Sequence, residues 1–202
     1  MIDAILLDVD GVLADFFGGV CKAFGNDALS VASSLNYHVP WDLSQVFPEF
    51  KGETVTEICS EDFWSSLDLY GWAEPLVEAL KKTFPGVKIQ LCTSAGKPST
   101  QYFKHAVNGK IRWLKQHFPE LVDDTIFCFD KRYIVGRKTV LIDDNQVLFD
   151  DDSVIPFPQW WNDYREIRNK SVTEIVGHVM NGIKRVSEMD GRGETWSSHV
   201  DI

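Results

Sequence analysis

Residues 4–15 read AILLDVDGVLAD, an apolar run that passes directly into two aspartates separated by one residue. Four consecutive apolar residues without alternation predict a strand that is covered on both faces, as in a parallel sheet, and Gly11 favours a tight turn after it. Ligands of open α/β sheets bind at the carboxyl ends of the strands, so Asp8 and Asp10 indicate a cation site. The alternative is a solvated turn, because Asp and Gly are common turn residues.

The length, composition and charge predict one globular domain with a small insertion. The chain has 202 residues, of which 44% are hydrophobic and 25% charged, and its formal net charge is −10. Because an acidic chain repels polyanions, we expect no long nucleic acid as a partner. No basic segment precedes the first apolar run and no stretch approaches 18 apolar residues, so we expect no signal peptide, no membrane partner and a cytoplasmic location. The cysteines lack the close spacing of zinc or redox motifs and are expected to be reduced thiols.

Three further apolar runs are predicted to be strands, and each ends in polar residues. Residues 87–92 lead into Thr93-Ser94, residues 125–129 into Asp130-Lys131, and residues 139–142 into Asp143-Asp144-Asn145. Helical patterns separate these runs, which predicts an α/β fold with a three-layer, doubly wound parallel sheet of the Rossmann type. The four strand ends then lie along one edge of the sheet. An all-oxygen set of side chains without His or Cys favours Mg²⁺ over zinc there.

Other segments complete the predicted organisation. Residues 16–72 contain short helical patterns, many aromatic residues and no strand-like run, so they are predicted to be a small helical cap inserted after the first strand. The α/β core then comprises residues 1–15 and 73–190, and residues 191–202 form a polar, frayed C-terminal tail. Residues 153–157 predict a fifth strand at the sheet edge, because Pro156 cannot donate to a ladder. Ser171 and Glu174 form a capping box for a final helix.

The order of these motifs resembles that of the haloacid dehalogenase-like phosphatases, with DVDGVLAD, TS, DK and LIDD at the four strand ends. The details are most similar to the 5'(3')-deoxyribonucleotidases, in the segments DVDGVLADF, EDFWSSL, LCTSAGK, GKIRWL and LIDDN. The resemblance covers roughly residues 2 to 165 and is more specific for the superfamily than for the substrate. It implies a Mg²⁺-dependent phosphomonoesterase that hydrolyses a small nucleotide, a deoxyribonucleoside 5'(3')-monophosphate, through an aspartyl-phosphate. We expect a monomer or a homodimer.

The resemblance also implies the roles of the acidic residues. Asp8 is the expected nucleophile, and Asp10 the acid/base that protonates the leaving alcohol and then activates water. The side chains of Asp8 and Asp143 and the backbone carbonyl of Asp10 would hold Mg²⁺, and Asp144 would support the water shell of the metal.

The phosphate-binding residues implied by the resemblance are Thr93, Ser94 through its backbone N–H, Lys97 and Lys131. The alternative for the Thr-Ser pair is a helix N-cap. Lys138 is a second candidate for the lysine of the third motif. We favour Lys131, because it follows a strand directly, whereas Lys138 precedes the next strand.

The substrate-binding residues are expected in the cap. Phe63 and Trp64 coincide with an aromatic pair that packs on the nucleobase in the deoxyribonucleotidases, and Phe16 is expected to close the pocket from the first-motif side. The alternative is that the aromatic residues are cap core.

Other functions remain open at this stage. A phosphatase for another small phosphomonoester, such as a sugar phosphate, would carry the same motifs. A phospho-acceptor module of the receiver type also gathers acids, Thr and Lys at strand ends. A receiver carries its paired acids before the strand that holds the acceptor and has no cap, so the motif order here argues against it. A metal-binding scaffold without activity is disfavoured, because every motif side chain is present.

Overall fold

The first strand of the chain lies at the centre of a parallel sheet. The computed structural model describes residues 2–136 and 138–191, and within them the strands are β1 (Ala4–Leu7), β2 (Lys88–Thr93), β3 (Ile126–Phe127), β4 (Thr139–Asp143) and β5 (Val154–Pro156). Their order is β3-β2-β1-β4-β5, and every neighbouring pair is parallel. The predicted α/β class is therefore confirmed. The position of β1 between two partners explains its unbroken apolar run.

The strand register brings the acidic strand ends to one level. Leu7 of β1 lies beside Leu91 of β2 and Ile142 of β4. The backbone N–H of Asp8 then donates to the carbonyl of Ile142 at 3.0 Å. The residues that follow β1 and end β4 thus leave the sheet side by side.

Eight α-helices are present in the described part of the chain. Four of them follow β1 within residues 16–72: α1 (Phe16–Ala23), α2 (Ala28–Ser34), α3 (Glu53–Ile58) and α4 (Glu61–Ser65). The others are α5 (Ala73–Thr83), α6 (Gln101–His117), α7 (Arg165–Arg168) and α8 (Val172–Gly191). Short 3-10 helices span Leu43–Gln45, Pro119–Leu121, Lys131–Tyr133 and Gln146–Leu148. No described helix has the length and apolarity that a bilayer crossing requires.

The core lies mainly between one face of the sheet and the long helices. Ile5, Leu7 and Ile142 belong to the same buried cluster as the apolar stripes of α5, α6 and α8. Leu6 and Leu141 point to the other face, as the pleat requires, where residues around the 3-10 helices cover them. The sheet is therefore buried on both sides.

The chain leaves the sheet region and returns to it at adjacent points. Ala14 forms an antiparallel bridge with Leu69, and the N–H of Tyr70 donates to the carbonyl of Leu13 at 2.9 Å. Helices α1–α4 lie between these two points. This pairing is the physical basis on which we propose residues 16–72 as a cap and residues 1–15 and 73–190 as the core.

Two details differ from the sequence predictions, and a third confirms one of them. Strand β3 has two residues instead of the predicted five, because the chain turns after Cys128 into the 3-10 helix that Asp130 caps. Helix α6 is capped by Thr100, so Thr93-Ser94 is not its N-cap. The capping box of α8 is present, since the N–H of Glu174 donates to Ser171 Oγ and the N–H of Ser171 donates to Glu174 Oε2. Apart from Gly191, the predicted C-terminal tail lies outside the described residues.

Candidate active site

Three buried carboxylates meet at the carboxyl ends of β1 and β4. Asp8, Asp143 and Asp144 are 6%, 1% and 4% exposed, and one carboxylate oxygen of each lies within 4.8 Å of the others. Backbone amides orient two of the groups, because Val9 N–H donates to Asp8 Oδ1 at 2.7 Å and Asn145 N–H donates to Asp143 Oδ1 at 2.8 Å. Such an all-oxygen cluster has the chemistry of a site for a hard divalent cation.

Lys131 provides positive charge inside this cluster. Its Nζ lies 2.6 Å from Asp8 Oδ2 and 2.6 Å from Asp143 Oδ2, and the side chain is buried. Lys131 is the first residue of a 3-10 helix, and its side chain points into the cluster. Lys138, the second candidate, lies at the opposite end of β4, where its Nζ is 3.4 Å from Asp3 Oδ2 on the surface. The structure therefore brings Lys131 to the acidic residues and leaves Lys138 away from them.

The carboxylates of this cluster outnumber its one ammonium group, and burial together with this excess of negative charge shifts their pKa values. Burial raises the pKa of Asp8 to about 7, and the charges of Asp143 and Asp10 act in the same direction against that of Lys131. Burial, followed by the charges of Asp143 and Asp8, holds the pKa of Asp144 well above its ordinary value. Burial lowers the pKa of Lys131, but Asp8 and Asp143 outweigh it and the pKa is raised. A bound divalent cation would relieve this excess of negative charge.

Asp10 faces a second lysine that the sequence analysis missed. Lys110 Nζ donates to Asp10 Oδ2, to the Ser94 carbonyl, and to Thr93 Oγ1 at 2.9 Å. Lys110 is 2% exposed, and its Nζ lies 4.6 Å from the ring centroid of Trp64. Asp10 Oδ1 is buried and has no hydrogen-bond partner in the part of the chain that the structure describes.

A sequence signal for Lys110 exists. It lies on the buried face of α6 with Ala106, Trp113 and Leu114, and a lysine is rarely fully buried unless a negative or polar group pairs with it. Its neighbour Ile111, which has an apolar side chain, is only half-buried.

The acidic cluster opens into a cavity of about 520 Å³ with aromatic walls. The acidic residues Asp8, Asp10, Asp143 and Asp144 contribute to its lining together with Lys131. The seven aromatic residues of the lining are Phe16, Phe17, Trp41, Trp64, Tyr102, Phe129 and Trp161. This volume and this combination of apolar walls with a few charged groups are typical of a site for a small molecule.

Four of the seven predicted phosphate- and substrate-binding residues line this cavity: Ser94, Lys131, Phe16 and Trp64. The other three do not. Thr93 is fully buried behind Lys110, and the side chain of Lys97 is exposed. Phe63 lies edge-on to Phe16, with ring centroids 5.9 Å apart, because successive residues of helix α4 point in different directions.

The sequence analysis also missed Trp161, which lines the cavity and contacts Asp144. Its indole N–H donates to Asp144 Oδ2 at 2.8 Å. The available signal was the run PQWWN, residues 158–162, which follows β5 at the same edge of the sheet as the acidic residues.

Comparisons with known proteins identify relatives of this chain. Residues 1–153 match the family described as "5' nucleotidase, deoxy (Pyrimidine), cytosolic type C protein". The chain is 28% identical over 167 residues to the mitochondrial 5'(3')-deoxyribonucleotidase of Mus musculus, which covers 77% of this chain and 69% of that protein. It is 27% identical over 167 residues to the cytosolic-type 5'(3')-deoxyribonucleotidase of Homo sapiens, which covers 77% of this chain and 76% of that protein.

A solved structure of a HAD family hydrolase from Deinococcus radiodurans R1, with bound phosphate and sodium, is 17% identical to this chain. The overlap covers 71% of this chain and 73% of that one, with a TM-score of 0.39.

Proposed function

The chain belongs to the deoxy (pyrimidine), cytosolic type C family of 5' nucleotidases, which are haloacid dehalogenase-like phosphatases, and on this premise we propose its substrate, cofactor and mechanism. The protein is a Mg²⁺-dependent phosphomonoesterase for a deoxyribonucleoside 5'- or 3'-monophosphate. The observation that carries this proposal is the meeting of Asp8, Asp143, Asp144 and Lys131 in a cavity with aromatic walls.

Asp8 is the proposed nucleophile. One of its carboxylate oxygens forms a bond to phosphorus while the bond from phosphorus to the nucleoside oxygen breaks, which leaves an aspartyl-phosphate. Water then attacks phosphorus, and the bond to Asp8 breaks with release of inorganic phosphate. The Val9 N–H on Oδ1 and the Lys131 ammonium on Oδ2 support this role, because they hold the carboxylate in one orientation.

Asp10 is the proposed acid/base. In the first step it gives a proton to the departing nucleoside oxygen, and in the second it takes a proton from the attacking water. Lys110 occupies Oδ2, whereas Oδ1 has no protein partner among the described residues. This asymmetry supports Oδ1 as the atom that carries the proton.

The acidic residues fit a Mg²⁺ ion. The side chains of Asp8 and Asp143 and the backbone carbonyl of Asp10 would hold it, with Asp144 beside them, and hard oxygen ligands suit this metal. The excess negative charge of the cluster supports a divalent cation over none. When bound, Mg²⁺ supplies charge neutralisation on the nucleophile and on the phosphate.

The phosphate and the nucleoside would occupy different parts of the cavity. Lys131 and the backbone N–H of Ser94 are placed to contact phosphate oxygens. Thr93 contributes through Lys110, which it holds beside Asp10. Phe16 and Trp64, whose rings stack at 5.1 Å, form the aromatic wall against which the base packs. Lys97 and Phe63 lie outside the lining of the cavity, so no substrate contact is proposed for them.

A substrate panel tests the proposal. Phosphate release in Mg²⁺ is measured with 5'- and 3'-dUMP, dTMP, a pentose phosphate and p-nitrophenyl phosphate. We expect the deoxyribonucleotides to give the highest kcat/KM, and a preference for the sugar phosphate would contradict the nucleotide assignment.

The same assay tests the nucleophile. Asp8→Asn should abolish hydrolysis, whereas the matched control Asp3→Asn should retain it, because Asp3 lies on the surface at the other end of β1. An active D8N variant would remove Asp8 from its role.

A further inference from the structure

We propose that Trp161 is a positioning residue that fixes the Asp144 carboxylate so that the acidic cluster binds a divalent cation. This inference rests on the proposed function for the existence of the cation site. It concerns a segment, residues 157–162, that lies beyond the residues matched by the family.

The contact between Trp161 and Asp144 is direct and polar. The indole Nε1–H donates to Asp144 Oδ2 at 2.8 Å, and Asp144 is 4% exposed. A carboxylate oxygen of Asp144 lies within 4.8 Å of those of Asp8 and Asp143. A hydrogen bond from a neutral donor to a buried carboxylate selects one orientation of that group, as donors behind metal sites do.

The indole ring is itself held in place. Its centroid lies 6.0 Å from the ring of the buried Phe17, at an interplanar angle of 63°. The indole also lies close to Gly11, because a Cβ built on Gly11 would lie 3.1 Å from Trp161 Cζ2 and 2.1 Å from Asp144 Oδ2. Glycine at position 11 thus lets the turn after β1 approach both Asp144 and the indole closely.

Two amide side chains of the same segment bind the backbone of the turns that follow β1 and β4. Asn162 is fully buried, and its Nδ2 donates to the Asp144 carbonyl at 3.0 Å and to the Phe157 carbonyl at 2.8 Å. Gln159 is also fully buried, and its Nε2 donates to the Gly11 carbonyl. Residues 157–162 therefore anchor both turns, and Trp161 is the residue of this segment that reaches a carboxylate of the cluster.

A Trp161→Phe substitution removes the indole N–H and keeps an aromatic ring, so it tests the hydrogen bond separately from the packing of the ring. Phenylalanine keeps a ring against Phe17 and the cavity but has no donor for Asp144. Trp160→Phe is the matched control, because the Trp160 N–H donates to Asn169 Oδ1 at 3.1 Å and not to the acidic cluster. Thermal unfolding of each variant checks that the chain is folded.

The experiment is isothermal titration of the full chain with MgCl₂. We expect W161F to bind Mg²⁺ about tenfold more weakly than the wild type, or weaker still. W160F should bind as the wild type does. Trp161→Leu, which keeps an apolar side chain and has no hydrogen-bond donor, should repeat the loss if W161F is poorly folded.

A kinetic measurement separates positioning from a general loosening of the cavity. With p-nitrophenyl phosphate, the Mg²⁺ concentration for half-maximal rate should rise in W161F by the same factor as the dissociation constant. The KM for the substrate at saturating Mg²⁺ should stay within about twofold, whereas a loosened cavity would raise it.

The outcomes distinguish the inference from the function on which it rests. Equal Mg²⁺ affinity in W161F and the wild type overturns the role of Trp161 and leaves the proposed function intact. A wild-type protein that binds no Mg²⁺ overturns the cation site, and the role of Trp161 with it. An equal loss in W160F and W161F shows a structural effect and also overturns the inference.

Discussion

Helix α4 packs closely on helix α6 at Gly109, and replacement of this glycine by alanine is expected to destabilise the protein. A Cβ at this position would lie 2.4 Å from Trp64 Cβ and 2.5 Å from the carbonyl oxygen of Glu61. Neither atom is the end of a flexible side chain. Because non-bonded heavy atoms need about 3.5 Å, α4 would have to move by about 1 Å.

Two opposing effects set the magnitude. Overpacking of a tight contact costs about 1–3 kcal/mol, whereas alanine in a helix is favoured over glycine by about 0.5–1 kcal/mol. We therefore expect Gly109→Ala to lower the free energy of unfolding by about 1–2 kcal/mol. The matched control is Gly177→Ala in helix α8, where a Cβ meets nothing within 4 Å, so this variant should be stabilised by about 0.5–1 kcal/mol.

Urea unfolding followed by circular dichroism measures both variants. Because Trp64 lines the cavity, G109A should also raise the KM for the nucleotide while G177A leaves it unchanged. If G109A is as stable as G177A, the close packing of α4 on α6 is not a constraint on the fold, and the reasoning is refuted.

Three further predictions concern the buried charges. Because burial raises the pKa of Asp8 from 3.8 to about 7, its stabilising contribution in metal-free protein is fully present below the unfolded value and is lost as pH rises through the folded value. The free energy of unfolding in EDTA should thus fall by on the order of 4 kcal/mol between pH 4 and pH 8. The fall should be smaller in D8N, and an equal pH dependence in D8N and the wild type would contradict this contribution of Asp8. Lys131→Met should destabilise the metal-free protein at pH 8 by about 3–5 kcal/mol, since it leaves buried carboxylates without their ammonium, and an unchanged urea midpoint would exclude that pairing. Tyr70→Phe removes an O–H donated to Asp15 at 2.8 Å and should cost about 2 kcal/mol in the same assay, whereas Tyr133→Phe at an exposed position should cost nothing; similar losses would count against the Tyr70 bond.

The elements and the acidic strand ends were predictable because their signals are local. The apolar run of residues 4–7 specifies a doubly covered strand, and the strand register then places Asp8 beside Asp143 without any further assumption. The resemblance and the parallel topology together pointed to the residues that the structure gathers in the acidic cluster.

The remainder depended on tertiary packing that a sequence pattern does not contain. Lys110 reaches Asp10 over a separation of 100 residues, a contact that the packing of α6 creates. Trp161 reaches Asp144 through the path of the chain after β5, which follows no periodic pattern. Phe63 and Trp64 are adjacent in sequence, but successive residues of a helix point about 100° apart, so the aromatic pair alone did not show which ring lines the cavity.

The most direct test of the account is to trap the aspartyl-phosphate during turnover. Sodium borohydride reduces an acyl-phosphate to an alcohol and leaves free carboxylates unchanged, so protein quenched with it during hydrolysis of dUMP is digested and mapped by mass spectrometry. Homoserine is expected at position 8, and its formation should depend on both substrate and Mg²⁺. Turnover at full rate with Asp8 unmodified, or reduction at a different carboxylate, would contradict it.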